Sequence, residues 1–286
     1  MKRREFFAFA TPSLMLMFGL MIVPVFFTIY LSFTRYSFGT VPEWVGLRNY
    51  ALTLRQTSFW NAVRFTLLFM AFAIPLQIII GFTMALLLDN VQRIQGIIVT
   101  GALLPAVVTP VVSALVFGSL FEDRSGFYSW LLSLVGINIR WFASAASARA
   151  LIIMHSVWQS TPFVFITLYA GLQAMSREQL ESAQIDGANF VQRIRHIIVP
   201  SLAPLFVFIA IINLMDAYRV FDSVFIMTRG GPGAATESVM YYNYNVAFAQ
   251  DNLGRGSAVS VMTIIGIFFL LIPFLYRTYR QQAAIR

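Results

Sequence analysis

Residues 9–33 read FATPSLMLMFGLMIVPVFFTIYLSF, a run without a single charged side chain. About 20 mostly apolar residues suffice to cross a bilayer as a helix. The run exceeds the roughly 7–15 apolar residues of a cleaved leader, although Lys2-Arg3-Arg4 precedes it as a leader's basic region would. No small-x-small cleavage site follows, so a retained signal anchor is expected. Five further stretches share this character: 62–88, 97–121, 149–172, 202–226 and 256–276. Six spans are therefore expected. Pro24, Pro75, Pro105, Pro110 and Pro162 fall inside them and are expected to kink helices. Such breaks are tolerated in membranes where neighbouring helices or a cavity satisfy the freed backbone.

Composition agrees. Of the 286 residues, 58% are hydrophobic and 11% charged, and mean hydropathy is +0.74. A soluble domain carries about 25% charged residues. Cysteine is absent, which excludes disulfides, thiol nucleophiles and zinc–thiolate sites. His155 and His196 are the only histidines, too few for a His-rich metal centre.

The net charge of +8 is a topology signal. With the N-terminus inside, the inner segments, short except for one, hold Lys2, Arg3, Arg4, Arg93, Arg177, Arg193, Arg195, Arg277, Arg280 and Arg286. The outer segments spread Arg35, Arg48, Arg55, Arg124, Arg140, Arg229 and Arg255 over more residues. Basic residues are thus denser inside. Both termini are expected in the cytoplasm, and nucleic acid is not invoked. No internal repeat or low-complexity linker is visible.

One inner loop, 174–200, is long enough to fold. Ser176-Arg177-Glu178-Gln179 fits a capping box that opens a helix running through Leu180 and Ala183 to Asp186. Gly187 then sits where a left-handed helix end is expected. Asn189-Phe190-Val191-Gln192 fits a second box. Behind it Phe190, Ile194, Ile197 and Ile198 share a face. Pattern alone leaves two readings: a docking element for a partner, or an interfacial helix on lipid headgroups.

Glu181-Ser182-Ala183, Gly187 and Ile197-Ile198-Val199-Pro200 resemble the EAA loop of ABC importer permeases. Ser182 and Val199 replace that pattern's Ala and Leu, while the spacing from Glu181 to Gly187 to Pro200 is kept. Thr228-Arg229-Gly230-Gly231-Pro232, Trp158 to Phe163, Arg219 to Asp222 and Asn49-Tyr50 are similar to segments of the carbohydrate-type permeases, the maltose and glycerol-phosphate class. The resemblance implies an all-α polytopic fold, with residues 1–286 forming one permease domain of six transmembrane helices and a cytoplasmic coupling loop. It implies four kinds of partner: a second homologous permease, two copies of a cytoplasmic ATPase, an extracytoplasmic substrate-binding protein and membrane lipid. It also implies a bacterial or archaeal cytoplasmic membrane. Glu181, Ser182, Ala183, Asp186, Gly187 and Pro200 are the implied ATPase-coupling residues. Glu181 would offer charge to the ATPase cleft, and Gly187 would permit close approach and the bend.

The chain has no Gly-x-x-x-x-Gly-Lys-Ser/Thr loop, and its one lysine is Lys2. ATP and Mg are therefore expected only at the partner ATPases. This chain is expected to bind no cofactor and to have no enzymatic activity.

Polar groups at membrane depth cost roughly 2.5–3.5 kcal/mol to insert, so they usually face a cavity or a partner. Asn213, Asp216, Tyr218, Arg219, Trp158 and Gln159 are the candidate substrate-path residues, with Gln77 and Asp222 nearby. Asp216, Arg219 and Asp222 recur every third residue and are expected near one face. Amides and carboxylates suit sugar hydroxyls, and aromatic rings suit apolar sugar faces. Asp216 and Arg219 have a second reading as a structural pair. Glu122, Asp123 and Arg124 are read as solvated, and Gly230, Gly231 and Pro232 as a turn. Tyr241, Tyr242 and Tyr244 are read as a headgroup belt or a contact for the binding protein. Besides a sugar, a glycerol phosphate or other polyol derivative is possible cargo. A membrane-embedded enzyme lacks its polar cluster here, and an ion-coupled secondary transporter lacks its inverted repeats.

Overall fold

The computed structural model describes residues 11–91 and 93–284. Lys2, Arg3, Arg4, Arg286 and the start of the first expected span lie outside them. Among the described residues, four helices are long and apolar enough to cross a membrane, or up to six spans if each of two bent pairs is one span. The chain divides into two compact units: residues up to Trp60 with Tyr242–Phe268, and Asn61–Tyr241 with the residues after Phe268.

The first unit begins with α1 (Thr11–Ser32), whose apolar side chains are almost all exposed, as suits a lipid solvent. A hairpin of β1 (Thr34–Arg35) and β2 (Glu43–Trp44) follows, closed by an Arg35–Glu43 ion pair. Next comes α2 (Arg48–Leu54). Its buried Asn49 donates from Nδ2 to Ser32 O at 2.9 Å and Thr34 O at 2.8 Å, serving carbonyls left open where α1 ends. Tyr50 Oη meets Ser32 Oγ at 2.6 Å, so the Asn49-Tyr50 pair is a structural clasp.

The second unit is built on α3 (Thr57–Asp89) and α7 (Ala145–Gln173). Between them lie α4 (Gln95–Val107), α5 (Pro110–Leu120) and the short α6 (Phe127–Leu134). After α7 come α8 (Arg177–Ile185), α9 (Phe190–Ser201), α10 (Ala203–Tyr218) and a π-helical turn, α11 (Val224–Thr228). Then follow α12 (Val239–Tyr244) and α13 (Leu253–Ala284), whose residues from Tyr242 to Phe268 belong to the first unit. The core joins Leu88, Val164, Phe165, Leu168, Leu172, Ile198 and Ile209. At Gly81 a Cβ would lie 2.7 Å from Val164 Cγ1, so only glycine lets α3 and α7 approach this closely.

Two spans expected to be continuous are bent. The 97–121 stretch is α4 and α5, crossing at 98°. Thr109 precedes Pro110, whose ring pushes it out of the helical region, and both Val108 and Thr109 are extended. The 202–226 stretch starts at a 69° bend between α9 and α10 and leaves the helix at Tyr218. Asp222 therefore does not share a helical face with Asp216, contrary to the periodicity argument.

Three smaller readings also change. Asp123 is not merely solvated: its Oδ1 accepts from Trp141 N at 2.6 Å, beside a Phe121–Trp141–Leu151 cluster. Glu122 binds the Ser125 hydroxyl and backbone, which hold its carboxyl below the usual range, the hydroxyl bond most of all. Tyr241 and Tyr242 are buried rather than offered to headgroups, and Tyr242 Oη accepts from Arg255 Nη2 at 2.8 Å. Gly230, with φ +80°, does shape a turn, closed by Thr236 Oγ1 donating to Gly231 O at 2.7 Å.

Candidate functional site

Two places in the second unit collect the expected functional residues. The first is the loop from 174 to 200. Ser176 caps α8 in position only, since its side chain makes no capping bond and the expected box does not close. At the other end Gly187 takes φ +82°. Gly187 N–H donates to Gln184 O at 3.1 Å and Ala188 N–H to Ala183 O at 2.9 Å, the paired bonds of a Schellman ending. Asn189 then opens α9 with a closed box: Gln192 N donates to Asn189 Oδ1 at 2.9 Å, and Asn189 N to Gln192 Oε1 at 2.8 Å. Three residues thus stop one helix and start the next.

The expected apolar face of α9 is divided. Ile194 and Ile198 turn to the core with Leu180 and Met175, whereas Phe190 and Val191 are exposed. Ile185 at the end of α8 is 86% exposed. Glu181, Ser182 and Asp186 are exposed with Pro200, while Ala183 is half-buried. The loop rests on the core through one side and offers Ile185, Phe190 and Val191 amid polar groups on the other.

The second place is a cavity of about 530 Å³. Asn213, Asp216, Arg219 and Gln159 line it, together with Gln77 and Asp222. Its wall is held by amides. Gln77 Nε2 lies 3.2 Å from Ser156 O and 3.1 Å from Ser156 Oγ, and Gln77 Oε1 accepts from Asn213 Nδ2 at 2.9 Å. Gln159 Nε2 donates to Pro105 O at 2.8 Å and Val108 O at 2.9 Å. Those carbonyls are left open by the α4–α5 break, so Gln159 repairs the bend. Asp216 and Arg219 pair at 3.2 Å with side chains 65% and 60% exposed, a contact worth little to stability.

Two candidates lie away from this cavity. Trp158 does not line this cavity; it faces an apolar groove, with its ring 6.1 Å from that of Phe117. Adjacent helical residues point about 100° apart, which separates it from Gln159. Tyr218 is buried and is not among the lining residues. His155, Ser156 and Ser160 were missed and do line the cavity. His155 and Ser156 lie four and three residues before Gln159, about one helical turn, and Ser160 is adjacent to it, which is the signal the sequence offers. Among the described residues, no group of three or more His, Asp or Glu side chains is placed to hold a metal.

Comparison with known proteins fits this geometry. Residues 77–283, well over half of the chain, match the family described as binding-protein-dependent transport system inner membrane component. The chain is 33% identical to the probable ABC transporter permease protein y4oQ of Sinorhizobium fredii, over 97% of this chain and 91% of the relative. It is also 33% identical to the trehalose/maltose transport system permease protein MalF of Thermococcus litoralis, over 92% of this chain and 90% of that one. A third relative, the sn-glycerol-3-phosphate transport system permease protein UgpA of Agrobacterium fabrum, is 30% identical over 86% of this chain and 84% of its own length. In fold the chain superposes on a bacterial ABC transporter involved in the import of the acidic polysaccharide alginate, with a TM-score of 0.82. That likeness covers 97% of this chain and 96% of the other at 18% identity. The chain belongs to the binding-protein-dependent transport system inner membrane components, the permease subunits of ABC importers.

Proposed function

We propose that this permease carries a neutral sugar or oligosaccharide through the cavity bounded by Gln77, Asn213 and Asp216. The observation that carries the reading is the cavity's lining. Amides, hydroxyls and one paired cation face a space of about 530 Å³ in an otherwise apolar chain. Sugar hydroxyls both donate and accept, which suits carboxylates and amides together. Arg219 is already paired with Asp216, and Asp222 adds a second carboxylate, so the lining disfavours a phosphate. The relatives named for trehalose and maltose support the same class. A second permease would complete the path. Two copies of a cytoplasmic ATPase, holding ATP and Mg, would supply the energy, and an extracytoplasmic binding protein would deliver cargo. The 174–200 loop would receive the ATPase stroke through Glu181, Ser182, Ala183, Asp186, Gly187 and Pro200.

Asp216→Asn tests the cavity. The ion pair is largely exposed, so assembly is expected to persist. Asparagine still accepts a hydrogen bond but loses the charge assistance, worth about 1–1.5 kcal/mol, so transport per assembled complex should fall about five- to tenfold. Asn213→Ala is a poorer probe, because it also strands the buried Gln77 Oε1. The readout is uptake into vesicles of the sugar bound by the cognate binding protein. Normal uptake with Asp216→Asn would remove this carboxylate from the path. Failed assembly partly rescued by Arg219→Gln would make the pair structural.

Orientation has its own test in this Cys-free chain. Gln192→Cys should react with an impermeant maleimide only from the cytoplasmic side. Labelling from outside would invert the topology and place the loop away from any cytoplasmic ATPase.

A further inference from the structure

The inner ends of α3 and α7 carry a polar contact that the cavity does not use. Asp89, the last residue of α3, accepts from Gln173 Nε2 at 2.8 Å and from Arg177 Nη2 at 3.1 Å. Gln173 ends α7, and Arg177 begins α8. One carboxylate therefore joins the ends of three helices. The Asp89 side chain is 19% exposed and that of Arg177 56%, so water competes less at the carboxylate than at the guanidinium. Beside it, Leu88 and Leu172 share the core with Ile198 of α9.

Further along α3, the pair is joined twice more. Gly81 admits Val164 at contact distance, and Gln77 meets Ser156 of α7 and Asn213 of α10. The contacts pair rising numbers with rising numbers, so α3 and α7 run in the same direction as one body. Twelve residues of helix separate Asp89 from Gln77, about 18 Å at the α-helical rise.

We infer that Asp89 is a positioning residue for energy coupling. It clamps the first turn of α8 to the α3–α7 body, so that movement of the loop reaches Gln77 and Asn213 at the cavity. Apolar packing alone holds the loop without fixing its direction. Two charge-assisted hydrogen bonds from different helices fix it. The clamp rests on the reading of 174–200 as the ATPase-coupling loop.

The test uses the full complex in nanodiscs, with the second permease and the ATPase present. A bimane fluorophore on Ser160→Cys reports on the cavity, and ATP with vanadate supplies the stroke. With Asp89→Ala, the ATPase is expected to stay bound and hydrolyse ATP, while the ATP-dependent emission change shrinks about two- to thirtyfold. Arg177→Ala combined with Gln173→Ala should do the same with Asp89 intact, which covers the case that Asp89→Ala does not fold. The exchange Asp89→Arg with Arg177→Asp should recover part of the signal. An undiminished change in Asp89→Ala overturns the clamp, as does loss of ATPase binding, which would make Asp89 a docking residue. If the complex with Asp89 intact binds no ATPase or shows no change, the coupling-loop reading itself falls, and the clamp with it.

Discussion

Gly187→Asp is expected to lower transport per complex at least about tenfold, an effect of about 1.4 kcal/mol or more, while the chain still inserts in the membrane. Gly187 holds φ +82° at the Schellman ending of α8. Most L side chains pay about 1–2 kcal/mol in the left-handed region, and aspartate, which like asparagine visits it, pays less than that, so the added charge carries most of the effect. In the isolated chain a Cβ at this position meets nothing within 4 Å, so the membrane helices have no reason to shift. The strain acts on the junction itself. If α8 extends by one residue, Ala188 loses its bond to Ala183 O and the Asn189 box is re-aimed. The added carboxylate also stands beside Asp186, on the surface proposed to enter the ATPase. Gly187→Asn separates the two effects. It is uncharged and tolerates the left-handed region better than most residues, so it should retain most transport. ATPase copurification and vesicle uptake are the measurements. Normal values for both with Gly187→Asp would mean that this loop does not couple the subunits.

Local patterns were the most legible in the sequence. The Asn189–Gln192 box spans four residues, and it forms as read because both partners lie in one turn. Ser176 shows the limit of that logic. Its backbone takes the capping conformation, yet its side chain makes no capping bond, and nothing in the structure explains the difference. The bend at Pro110 was visible as a proline but not as a 98° turn. That angle needs Val108 and Thr109 extended together, which a single proline does not dictate.

Contacts distant along the chain were not legible. Gln77 and Asn213 are 136 residues apart, and the sequence offered each as a polar residue without its partner. Asp222 was placed with Asp216 because the helix was assumed to continue. The helix ends at Tyr218, and the assumed periodicity ends with it. Hydropathy sees that a polar residue is expensive in a membrane but not whether its partner is cargo or another helix. Gln159 shows both at once: it lines the cavity and repairs a helix break.

Gly254→Ala is expected to have the largest effect on stability. Gly254 lies at the start of α13, and its N–H donates to Tyr36 O at 3.1 Å. A Cβ built there would lie 2.0 Å from Thr34 O and 3.1 Å from both Thr34 C and Tyr36 N. These are backbone atoms that no rotamer change can move aside. Relief requires the β1 segment to retreat. Thr34 O also accepts from the buried Asn49 Nδ2 at 2.8 Å, so retreat strains the clasp that ends α1. The next residue, Arg255, is buried, with Nε donating to Thr53 Oγ1 at 3.2 Å and Nη2 to Tyr242 Oη. Shifting α13 instead would pull that guanidinium from its acceptors. Overpacking costs about 1–3 kcal/mol, and a stranded buried polar group about 1–3 kcal/mol more. A loss of about 2–6 kcal/mol is therefore expected, seen as a lower midpoint in detergent melts followed by size-exclusion chromatography. Gly96→Ala is the matched control. Its Cβ would meet nothing within 4 Å, and it sits in the first turn of α4, where alanine favours the helix. It should melt at or slightly above the parent midpoint. If Gly254→Ala melts alongside that control, α13 and the Thr34 carbonyl are not in backbone contact, and Asn49 does not clasp α1 in the way described.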